Sequence, residues 1–437
     1  MKTAVKKIVP NNILLAYHKA LAVLAEIIYK KPSEKMIVIG VTGTNGKSST
    51  VELISKVLEQ TGKKVGSTSS IKFKIGDQES LNTSKMTMLG RFKLQKILSQ
   101  MVKKGCSYAV IETSSQGIDQ FRHIGINYDI AVFTNITPEH IEAHGSFENY
   151  KQAKGKLFEH LTAKKKKNID NKEIPKISVI NLDDEHAPYF AQFKADKKYV
   201  FAIEGKIEKD VQGMEVVKAT DVNYSPNTNF KAHDTLISLQ LLGEYNIYNS
   251  LAAVCVGLSQ GMDMEKIKNG LESVEGIPGR LEFIQEGQNY NVIVDYAPEP
   301  ESLTQTYEVV KKLNPHKIIH VLGSCGGGRD EWRRPVMGKI AGRNAEYVII
   351  TNEDPYNEDP QKIINQVADG ALKEGKELDI NLFKILDRRQ AITKAITLAR
   401  ENDLVLITGK GSEQAMAVRN KLIPWDDRNV VREILKR

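Results

Sequence analysis

The sequence predicts an α/β fold, with a central doubly wound domain of the P-loop type followed by a smaller Rossmann-like C-terminal α/β domain. Short apolar runs such as residues 37–41 and 108–111 are typical of buried strands, and segments with helical spacing of apolar residues separate them. Strands that alternate with helices favour parallel sheets covered on both faces. A chain of 437 residues is long enough for two or three such domains.

A loop with two glycines, a lysine and several hydroxyl residues follows the first predicted strand. It consists of Gly43, Thr44, Asn45, Gly46, Lys47, Ser48 and Ser49. Glycines allow backbone N–H groups to approach phosphate oxygens, the following helix N-terminus adds partial positive charge, and Lys47 adds a full one. Ser48 is placed to bring its hydroxyl to Mg²⁺. The pattern predicts a nucleotide phosphate site. The alternative is a Gly-Lys turn that binds nothing, and the predicted strand and helix on either side argue against it.

Three further side chains are candidates for the same site because of where predicted strands end. Glu112 ends a buried strand, and a carboxylate placed there commonly holds Mg²⁺, although a surface strand end is an equally good interpretation of this residue alone. His140 lies just past the strand at residues 130–136, where α/β enzymes place their ligands. Lys154 follows on the next predicted helix.

Asn246 and Asn249 lie three residues apart at the start of an apolar helix that continues through Leu258, so they share one helix face. Amide side chains there could read the edge of an adenine ring, and the alternative is a pair of helix-capping asparagines. A domain boundary is predicted near residues 277–280. The predicted division is an N-terminal helix in residues 1–35, a central domain in residues 36–278 and a C-terminal domain in residues 279–437.

The composition is that of an ordinary globular protein, with 41% hydrophobic and 27% charged residues. The net charge of +8 comes from scattered lysines, and the one lysine run, residues 164–167, is interpreted as a solvated loop. We therefore expect no nucleic-acid partner. The cysteines, Cys106, Cys255 and Cys325, form no metal-ligand pair, which fits a reducing compartment. Without a long apolar run or a signal-peptide pattern, we expect a cytoplasmic protein with no membrane partner.

The order of several motifs resembles the Mur ligase superfamily, most closely its MurE-like type, which adds the third residue to UDP-N-acetylmuramoyl-dipeptide. The resemblance covers residues 36–437. The motifs are Gly43-Thr44-Asn45-Gly46-Lys47-Ser48, Glu112-Thr113-Ser114-Ser115-Gln116-Gly117, Thr134-Asn135-Ile136-Thr137-Pro138-Glu139-His140, Tyr150-Lys151-Gln152-Ala153-Lys154, Gly279-Arg280-Leu281-Glu282, Asp295-Tyr296-Ala297, Arg334-Pro335-Val336-Met337-Gly338, Asp387-Arg388-Arg389 and Gly409-Lys410-Gly411-Ser412-Glu413.

The resemblance implies ATP and two Mg²⁺ ions as cofactors. The implied catalytic residues are Lys47, Lys154 and His140, and the implied metal ligands are Ser48, Glu112, His140 and Lys154, the last as a carbamate. Nucleotide contacts would come from Asn246 or Asn249 to adenine, Arg280 to phosphate and Asp295 to ribose. The acceptor substrate would lie near Asn82, Thr83, Ser115 and Arg122, and the amino acid near Asp354, Tyr356 and Glu413.

The implied function is an ATP-dependent acid–amino-acid ligase of peptidoglycan synthesis, serving cell shape and division. A substrate carboxylate would attack the γ-phosphate of ATP, and an amino acid amine would then displace phosphate from the acyl phosphate. The partners are small molecules, a carboxylate acceptor such as a UDP-muramoyl-peptide and an amino acid, and we expect a monomer. Two alternatives stay open: a ligase that makes a polyglutamate, folate or cyanophycin-like amide, and a non-catalytic nucleotide-binding partner.

The sequence departs from the family pattern where substrates are chosen. Residues 1–35 leave no room for the family's N-terminal domain, which grips the UDP-sugar, so we expect recognition of a UDP-muramoyl acceptor to be altered. Tyr356 stands where the diaminopimelate-reading segment of the family has an arginine. A tyrosine cannot replace a bidentate carboxylate partner, so we expect meso-diaminopimelate not to be the preferred amine. Pro298 and Ser412 each stand where the family has a histidine.

Overall fold

The computed structural model describes residues 11–139, 141–204, 211–224, 227–328, 330–419 and 421–436. The chain divides into two compact units. The first unit comprises Met1–Asn82, Met86–Pro138 and His144–Glu275, and the second comprises Thr83–Lys85, Glu139–Ala143 and Gly276–Arg437. Each unit has its own main sheet.

The helices of the described residues lie between the strands for most of the chain. They are α1 (Asn11–Ile28), α2 (Lys47–Glu59), α3 (Arg91–Lys103), α4 (Ser115–Asp119), α5 (Ile141–His144), α6 (Phe147–Ala163), α7 (Ala187–Ala191), α8 (Glu244–Ser259), α9 (Met264–Glu272), α10 (Pro300–Lys311), α11 (Arg333–Asn344), α12 (Pro360–Leu372), α13 (Arg388–Leu398) and α14 (Asp427–Leu435).

The strands are short, as expected for buried α/β sheets. They are β1 (Ile37–Thr42), β2 (Lys64–Thr68), β3 (Lys72–Ile75), β4 (Gln78–Leu81), β5 (Cys106–Glu112), β6 (Ile130–Phe133), β7 (Asn168–Ile169), β8 (Lys172–Glu173), β9 (Ile177–Asn181), β10 (Lys197–Ile203), β11 (Glu215–Asn223), β12 (Thr228–Ala232), β13 (Thr235–Leu239), β14 (Glu282–Phe283), β15 (Asn291–Val294), β16 (Ile318–Leu322), β17 (Tyr347–Thr351), β18 (Leu382–Ile385), β19 (Leu404–Ile407), β20 (Ala415–Val418) and β21 (Lys421–Pro424).

The first unit is organised around one large sheet. Its strand order over the described residues is β13-β12-β11-β10-β9-β6-β1-β5-β2-β3-β4. Neighbours from β11 to β2 pair in parallel, and antiparallel hairpins extend both edges. The central strand β1 buries Val38, Ile39 and Val41 completely. A strand covered on both faces needs a continuous apolar run, which is why the sequence pattern identified it. The predicted central α/β domain is confirmed.

The second unit contains a smaller mixed sheet. Its order is β14-β15-β19-β16-β17-β18, and within the described residues only the edge strand β14 pairs antiparallel. β20 and β21 form a separate antiparallel hairpin in the same unit. The core is aliphatic, with Val292, Ile319, Val405 and Ile407 at its centre. The predicted smaller C-terminal α/β domain is confirmed.

The lysine run at residues 164–167 is not a solvated loop throughout, which corrects the interpretation from sequence. The side chain of Lys167 is 1% exposed, and its Nζ donates to Asp129 Oδ2 at 2.5 Å. Lys176 also donates to this carboxylate, 3.2 Å from Oδ1. A buried charged group requires an opposite charge next to it. The sequence pattern of the lysine run does not show that Asp129 lies buried beside it.

Helix α1 packs onto the first unit through a narrow face. Ala22 and Ala25 are buried, and the carboxylate of Glu26 lies 3.2 Å from Lys164 Nζ. A Cβ on Gly125 would lie 2.8 Å from the carbonyl oxygen of Ala22, so this contact requires a glycine. In the described part of the chain, each helix is too short or too polar to span a bilayer.

Three buried histidines make the fold sensitive to acid. Burial lowers the pKa of His123 to about 3, of His160 to about 4 and of His320 to about 3. The rings of His123 and His160 meet edge to face at 5.1 Å, and His320 lies between the Tyr307 hydroxyl at 2.8 Å and the Thr408 hydroxyl at 2.9 Å.

We expect the free energy of unfolding to fall by several kcal/mol as the pH drops from about 6.5 to about 4, at about 1.4 kcal/mol per unit of pKa difference. The unfolded chain binds protons near pH 6.5, whereas the folded imidazoles resist protonation until lower pH, so stability is complete above that range and is lost below it. Urea unfolding at a series of pH values measures this, and His160→Gln should make the profile less steep because two of the three histidines then remain. A profile that is level between pH 7 and 4 would contradict it.

Candidate active site

The predicted phosphate loop connects β1 to α2 in the first unit. Gly46 precedes α2 with a φ of 78°, a left-handed conformation that favours glycine. A Cβ on Gly43 would lie 1.9 Å from Thr134 Oγ1, so the loop backbone passes too close to its neighbour for any side chain. Lys47 Nζ donates to the carbonyl oxygen of Thr44 at 2.6 Å, which holds the ammonium group over the loop. The loop therefore has the backbone conformation and charge that phosphate binding needs.

Residues after β6 hold the loop from one side. The N–H of Thr44 donates to the carbonyl oxygen of Asn135, and the N–H of Asn45 donates to Asn135 Oδ1, each at 2.8 Å. The carbonyl oxygen of Asn45 accepts from Thr134 Oγ1 at 2.8 Å. Thr134 and Asn135 belong to a sequence motif, but their role does not follow from the sequence. Their part in shaping the loop depends on the parallel pairing of β1 and β6, which brings the two strand ends together.

Ser48, in the first turn of α2, lies next to Glu112, the last residue of β5. Ser48 Oγ donates to Glu112 Oε2 at 2.9 Å, and the N–H of Ser70 donates to the same oxygen at 2.7 Å. Glu112 is 2% exposed. Mg²⁺ in nucleotide sites is commonly held by one or two carboxylates, a hydroxyl and substrate phosphates, so this oxygen set fits the ion. Ser70 is a neighbour that the sequence analysis did not single out.

Lys154 reaches the loop from helix α6. It is 1% exposed, its Nζ donates to the carbonyl oxygen of Gly43 at 2.7 Å, and it lies 4.1 Å from the centre of the Tyr150 ring. Tyr150 in turn bonds to the Thr44 hydroxyl at 3.0 Å. The helix thus brings a buried cation to the first residue of the loop. His140, predicted as its companion ligand, lies outside the described residues.

Asn246 and Asn249 lie at the start of α8, as predicted, and their amides bond to protein groups. Asn249 Oδ1 accepts from Thr50 Oγ1, and its Nδ2 donates to Asn246 Oδ1, each at 3.1 Å. Asn246 Nδ2 donates to the carbonyl oxygen of Leu242 at 2.8 Å. A Cβ on Gly46 would lie 2.3 Å from Asn249 Oδ1, so Asn249 packs directly behind the loop. In this arrangement the pair supports the phosphate loop; contact with adenine stays a prediction.

The predicted acceptor-side residues are divided between the two units. In the first, Asn82 Nδ2 donates to the carbonyl oxygens of Ser69 at 2.8 Å and Met86 at 2.9 Å. Arg122 donates to Gln120 Oε1 at 2.7 Å and also to the carbonyl oxygen of Met88, and burial lowers its pKa. Thr83 is exposed and belongs to the second unit.

The remaining acceptor-side residue, Ser115, has a histidine partner that the sequence analysis missed. His144 Nε2 lies 3.1 Å from Ser115 Oγ, and Nδ1 lies 2.9 Å from Asp119 Oδ2. The carboxylate fixes the ring orientation, and the ring fixes the serine hydroxyl. Ser115 and Asp119 are four residues apart on one helix face, but only the fold brings His144 to them.

In the second unit, Arg280 precedes β14 and Asp295 directly follows β15. The guanidinium of Arg280 stacks 4.5 Å from the centre of the Tyr296 ring. Asp295 Oδ1 accepts from the N–H of Leu281 at 3.0 Å, and Oδ2 accepts from Thr306 Oγ1 at 2.7 Å. The carboxylate is thus fixed by protein donors.

Asp354 and Glu413, predicted near the amino acid, belong to a buried charge cluster in the second unit. Lys410 Nζ lies 3.0 Å from Asp354 Oδ1 and also bonds to Glu413. Burial alone would lower the pKa of Lys410, but the carboxylates of Glu413 and Asp354 raise it above its ordinary value. Lys85 bonds to both carboxylates, 3.0 Å from Glu413 Oε2. The two acids are therefore balanced by two lysines, a pairing that sequence spacing could not show.

Glu353 and Tyr356 flank Asp354 and pack against the glycine-rich turn after β16. Burial raises the pKa of Glu353, and Cys325 Sγ donates to its Oε1 at 2.9 Å. Tyr356 has a φ of 51°, and its Cδ2 would lie 3.2 Å from a Cβ on Gly327. The tyrosine ring thus covers the turn at the position where the family pattern has an arginine.

Two family models match most of the chain. The model described as Mur ligase middle domain matches residues 41–257, and the model described as Mur ligase, glutamate ligase domain matches residues 279–411. The UDP-N-acetylmuramoyl-L-alanyl-D-glutamate–2,6-diaminopimelate ligase of Geobacillus kaustophilus is 36% identical over 431 residues, covering 98% of this chain and 84% of the relative. The UDP-N-acetylmuramyl-tripeptide synthetase of a Roseiflexus species is 37% identical over 421 residues, covering 95% and 82%.

Solved structures share the fold. A UDP-N-acetylmuramoyl-L-alanyl-D-glutamate–2,6-diaminopimelate ligase has a TM-score of 0.61 and 27% identity, covering 96% of this chain and 82% of that one. The folylpolyglutamate synthase of Mycobacterium tuberculosis has a TM-score of 0.69 over 95% of both chains at 15% identity, which is a likeness of fold alone.

Proposed function

The chain belongs to the Mur ligase family, whose enzymes use ATP and Mg²⁺, and we propose that it is a MurE-type ligase that joins the carboxylate of a UDP-muramoyl-peptide to an amino acid. The observation that carries the proposal is the phosphate loop with its Ser48–Glu112 pair, 2.9 Å apart in the same unit. A fold likeness alone would not specify chemistry, whereas this pair supplies what a phosphoryl transfer requires.

The reaction begins with attack of the substrate carboxylate on the γ-phosphorus of ATP, which breaks the bond to the β-phosphate oxygen and releases ADP. The amine of the amino acid then attacks the acyl carbon, loses a proton, and displaces phosphate to leave an amide. Lys47 and the loop N–H groups reduce the repulsion between the two approaching anions. Ser48 and Glu112 are the proposed ligands of a Mg²⁺ ion, which supplies further positive charge at the phosphates.

The further metal assignment concerns Lys154. A second Mg²⁺, with Lys154 as a carbamate and His140 beside it, is part of the proposal. Its support is the buried position of Lys154 against the loop, 2.7 Å from the Gly43 carbonyl oxygen. A carbamate would keep one N–H on Nζ, which could still donate to Gly43, and would add the carboxylate oxygens that could ligate the ion.

We assign the catalytic central domain to residues 36–278 and the C-terminal domain to residues 279–437. The division of the chain between Glu275 and Gly276 supports this assignment. The two family matches, which end at residue 257 and begin at residue 279, support it as well. Arg280 and Asp295 are the proposed phosphate and ribose contacts from the C-terminal domain.

The proposed amine is an amino acid other than meso-diaminopimelate. Tyr356 offers a single hydroxyl where an arginine would offer a two-pronged donor to a carboxylate. Asp354 and Glu413 already bond to Lys85 and Lys410, so a substrate that enters here meets a charge-balanced cluster. These contacts argue that this chain does not share the amino-acid specificity of the diaminopimelate ligases.

The test is ADP release by the purified chain with defined substrate pairs. We expect release only when ATP, Mg²⁺, UDP-muramoyl-dipeptide and an amino acid are all present, with at least tenfold higher kcat/KM for lysine or another amino acid than for meso-diaminopimelate. Folate and glutamyl-peptide acceptors without a UDP group serve as the comparison. Turnover with those acceptors alone would indicate a non-murein amide ligase, and ATP binding without turnover of any pair would indicate a non-catalytic protein.

A further inference from the structure

The outer face of α1 exposes an unusual number of large apolar side chains. Ile13 is 60%, Tyr17 57%, Leu24 46% and Ile27 58% exposed. Each other described helix exposes at most one such side chain. Contiguous apolar surface of this kind on a globular protein marks an interaction site more often than a chance exposure.

The packing of α1 against its unit keeps this apolar face exposed to solvent. The opposite face is held by buried Ala22 and Ala25, by the ion pair between Glu26 and Lys164, and by the close approach to Gly125. Rotation of the helix about its axis would bring large side chains against Gly125, where a Cβ already lies within 2.8 Å of the backbone of α1. The apolar side chains therefore cannot turn into the core of their own unit.

The spacing of the exposed side chains matches a helical partner. Residues 13, 17, 20, 24 and 27 follow alternating steps of four and three, the spacing of a coiled-coil seam. The centre of this seam is Ala20, a small residue that allows two helix backbones to approach closely. A two-fold axis near Ala20 would place Ile13 opposite Ile27 and Tyr17 opposite Leu24 of a second copy, so the face is complementary to itself.

The charges at the C-terminal end of α1 favour antiparallel over parallel pairing of two such helices. Lys30 and Lys31 lie two and three residues beyond the end of α1, and a parallel pair would bring four lysines together. An antiparallel pair of 18-residue helices separates the two lysine ends by about 27 Å, well beyond the Debye length at physiological salt.

We propose that α1 pairs antiparallel with α1 of a second copy of this chain, which makes the protein a homodimer. The six large apolar side chains of the face, including Val23 and Ile28, are each about half exposed, so pairing buries on the order of 1,000 Å² in total, the size at which specific interfaces begin. This replaces the monomer expected from sequence and is independent of the proposed reaction, because none of these residues belongs to the candidate site.

Sedimentation velocity of the full chain over a range of concentrations tests the proposal. We expect a concentration-dependent dimer that Leu24→Glu weakens at least tenfold, since the substitution places a charge in the seam. The matched control is Leu236→Glu, which changes a side chain 49% exposed on β13 and should leave the dimer intact. A wild-type protein that sediments as a monomer at every concentration, or a dimer unchanged by Leu24→Glu, would overturn the proposal.

A cross-linking experiment tests the geometry without a disruptive charge. Ala20→Cys should form an intermolecular disulfide rapidly on mild oxidation because the two-fold axis places the two copies of residue 20 together. Lys30→Cys, at the helix end, should cross-link at least tenfold more slowly. Equal rates, or faster reaction at residue 30, would exclude the antiparallel pair.

Discussion

Replacement of Lys47 by alanine is expected to reduce ATP turnover by at least about 1,000-fold, the scale of losing a charged group that stabilises a transition state. The ammonium group lies over the phosphate loop, 2.6 Å from the Thr44 carbonyl oxygen. Two anions, the substrate carboxylate and the γ-phosphate, have to approach there, and the substitution removes the full positive charge that offsets their repulsion. Steady-state ADP release with saturating substrates measures the effect.

The matched control for this variant is Lys103→Ala, which removes an exposed lysine from the last turn of α3. It should retain wild-type turnover. Circular dichroism should show that both variants remain folded, because Lys47 is at the surface of its loop rather than in the core. Retention of more than a tenth of the activity by Lys47→Ala would exclude the proposed site, whatever the acceptor is.

Gly338→Ala is expected to lower the free energy of unfolding by about 3 kcal/mol, the upper end of typical overpacking costs. Gly338 lies on α11, and a Cβ there would come within 1.8 Å of the Val367 carbonyl oxygen on α12. That atom belongs to the backbone and cannot turn aside, so the two helices would have to separate. The approach is mutual, since a Cβ on Gly370 would lie 1.9 Å from the Pro335 carbonyl oxygen.

Urea unfolding with two further variants separates this effect from a general cost of alanine. Gly342→Ala, on the same helix, places its Cβ 3.1 Å from Ala371 Cα and should cost clearly less. Gly276→Ala meets no atom within 4 Å and should be close to neutral. The explanation fails if all three variants unfold at the same urea concentration.

The sequence predicted the elements that depend on local pattern. The β1 strand, the glycine loop and the start of α2 follow from apolar runs, glycines and helical spacing, and the structure has them at the expected residues. Glu112 was placed correctly at the end of β5 because a strand ends where its apolar run ends. These features need no information about distant residues.

The features that the sequence did not predict depend on contacts between distant segments. Lys167 is buried because Asp129 lies beside it, and His144 reaches Ser115 across 29 positions of the chain. The amides of Asn246 and Asn249 share a helix face as predicted, but only the packing of α8 behind α2 shows which groups they bond to. Polar side chains offer several partners to choose from, and spacing along one element does not select among them.

The hydrogen bonds between Asn135 and the phosphate loop affect the entropy cost of nucleotide binding. The residues that follow β6 fix the backbone of Thr44 and Asn45. The phosphate loop therefore has this conformation before a nucleotide binds. The loop backbone therefore loses little conformational entropy when the nucleotide binds. We therefore expect Asn135 to contribute to nucleotide affinity by fixing the backbone of the loop.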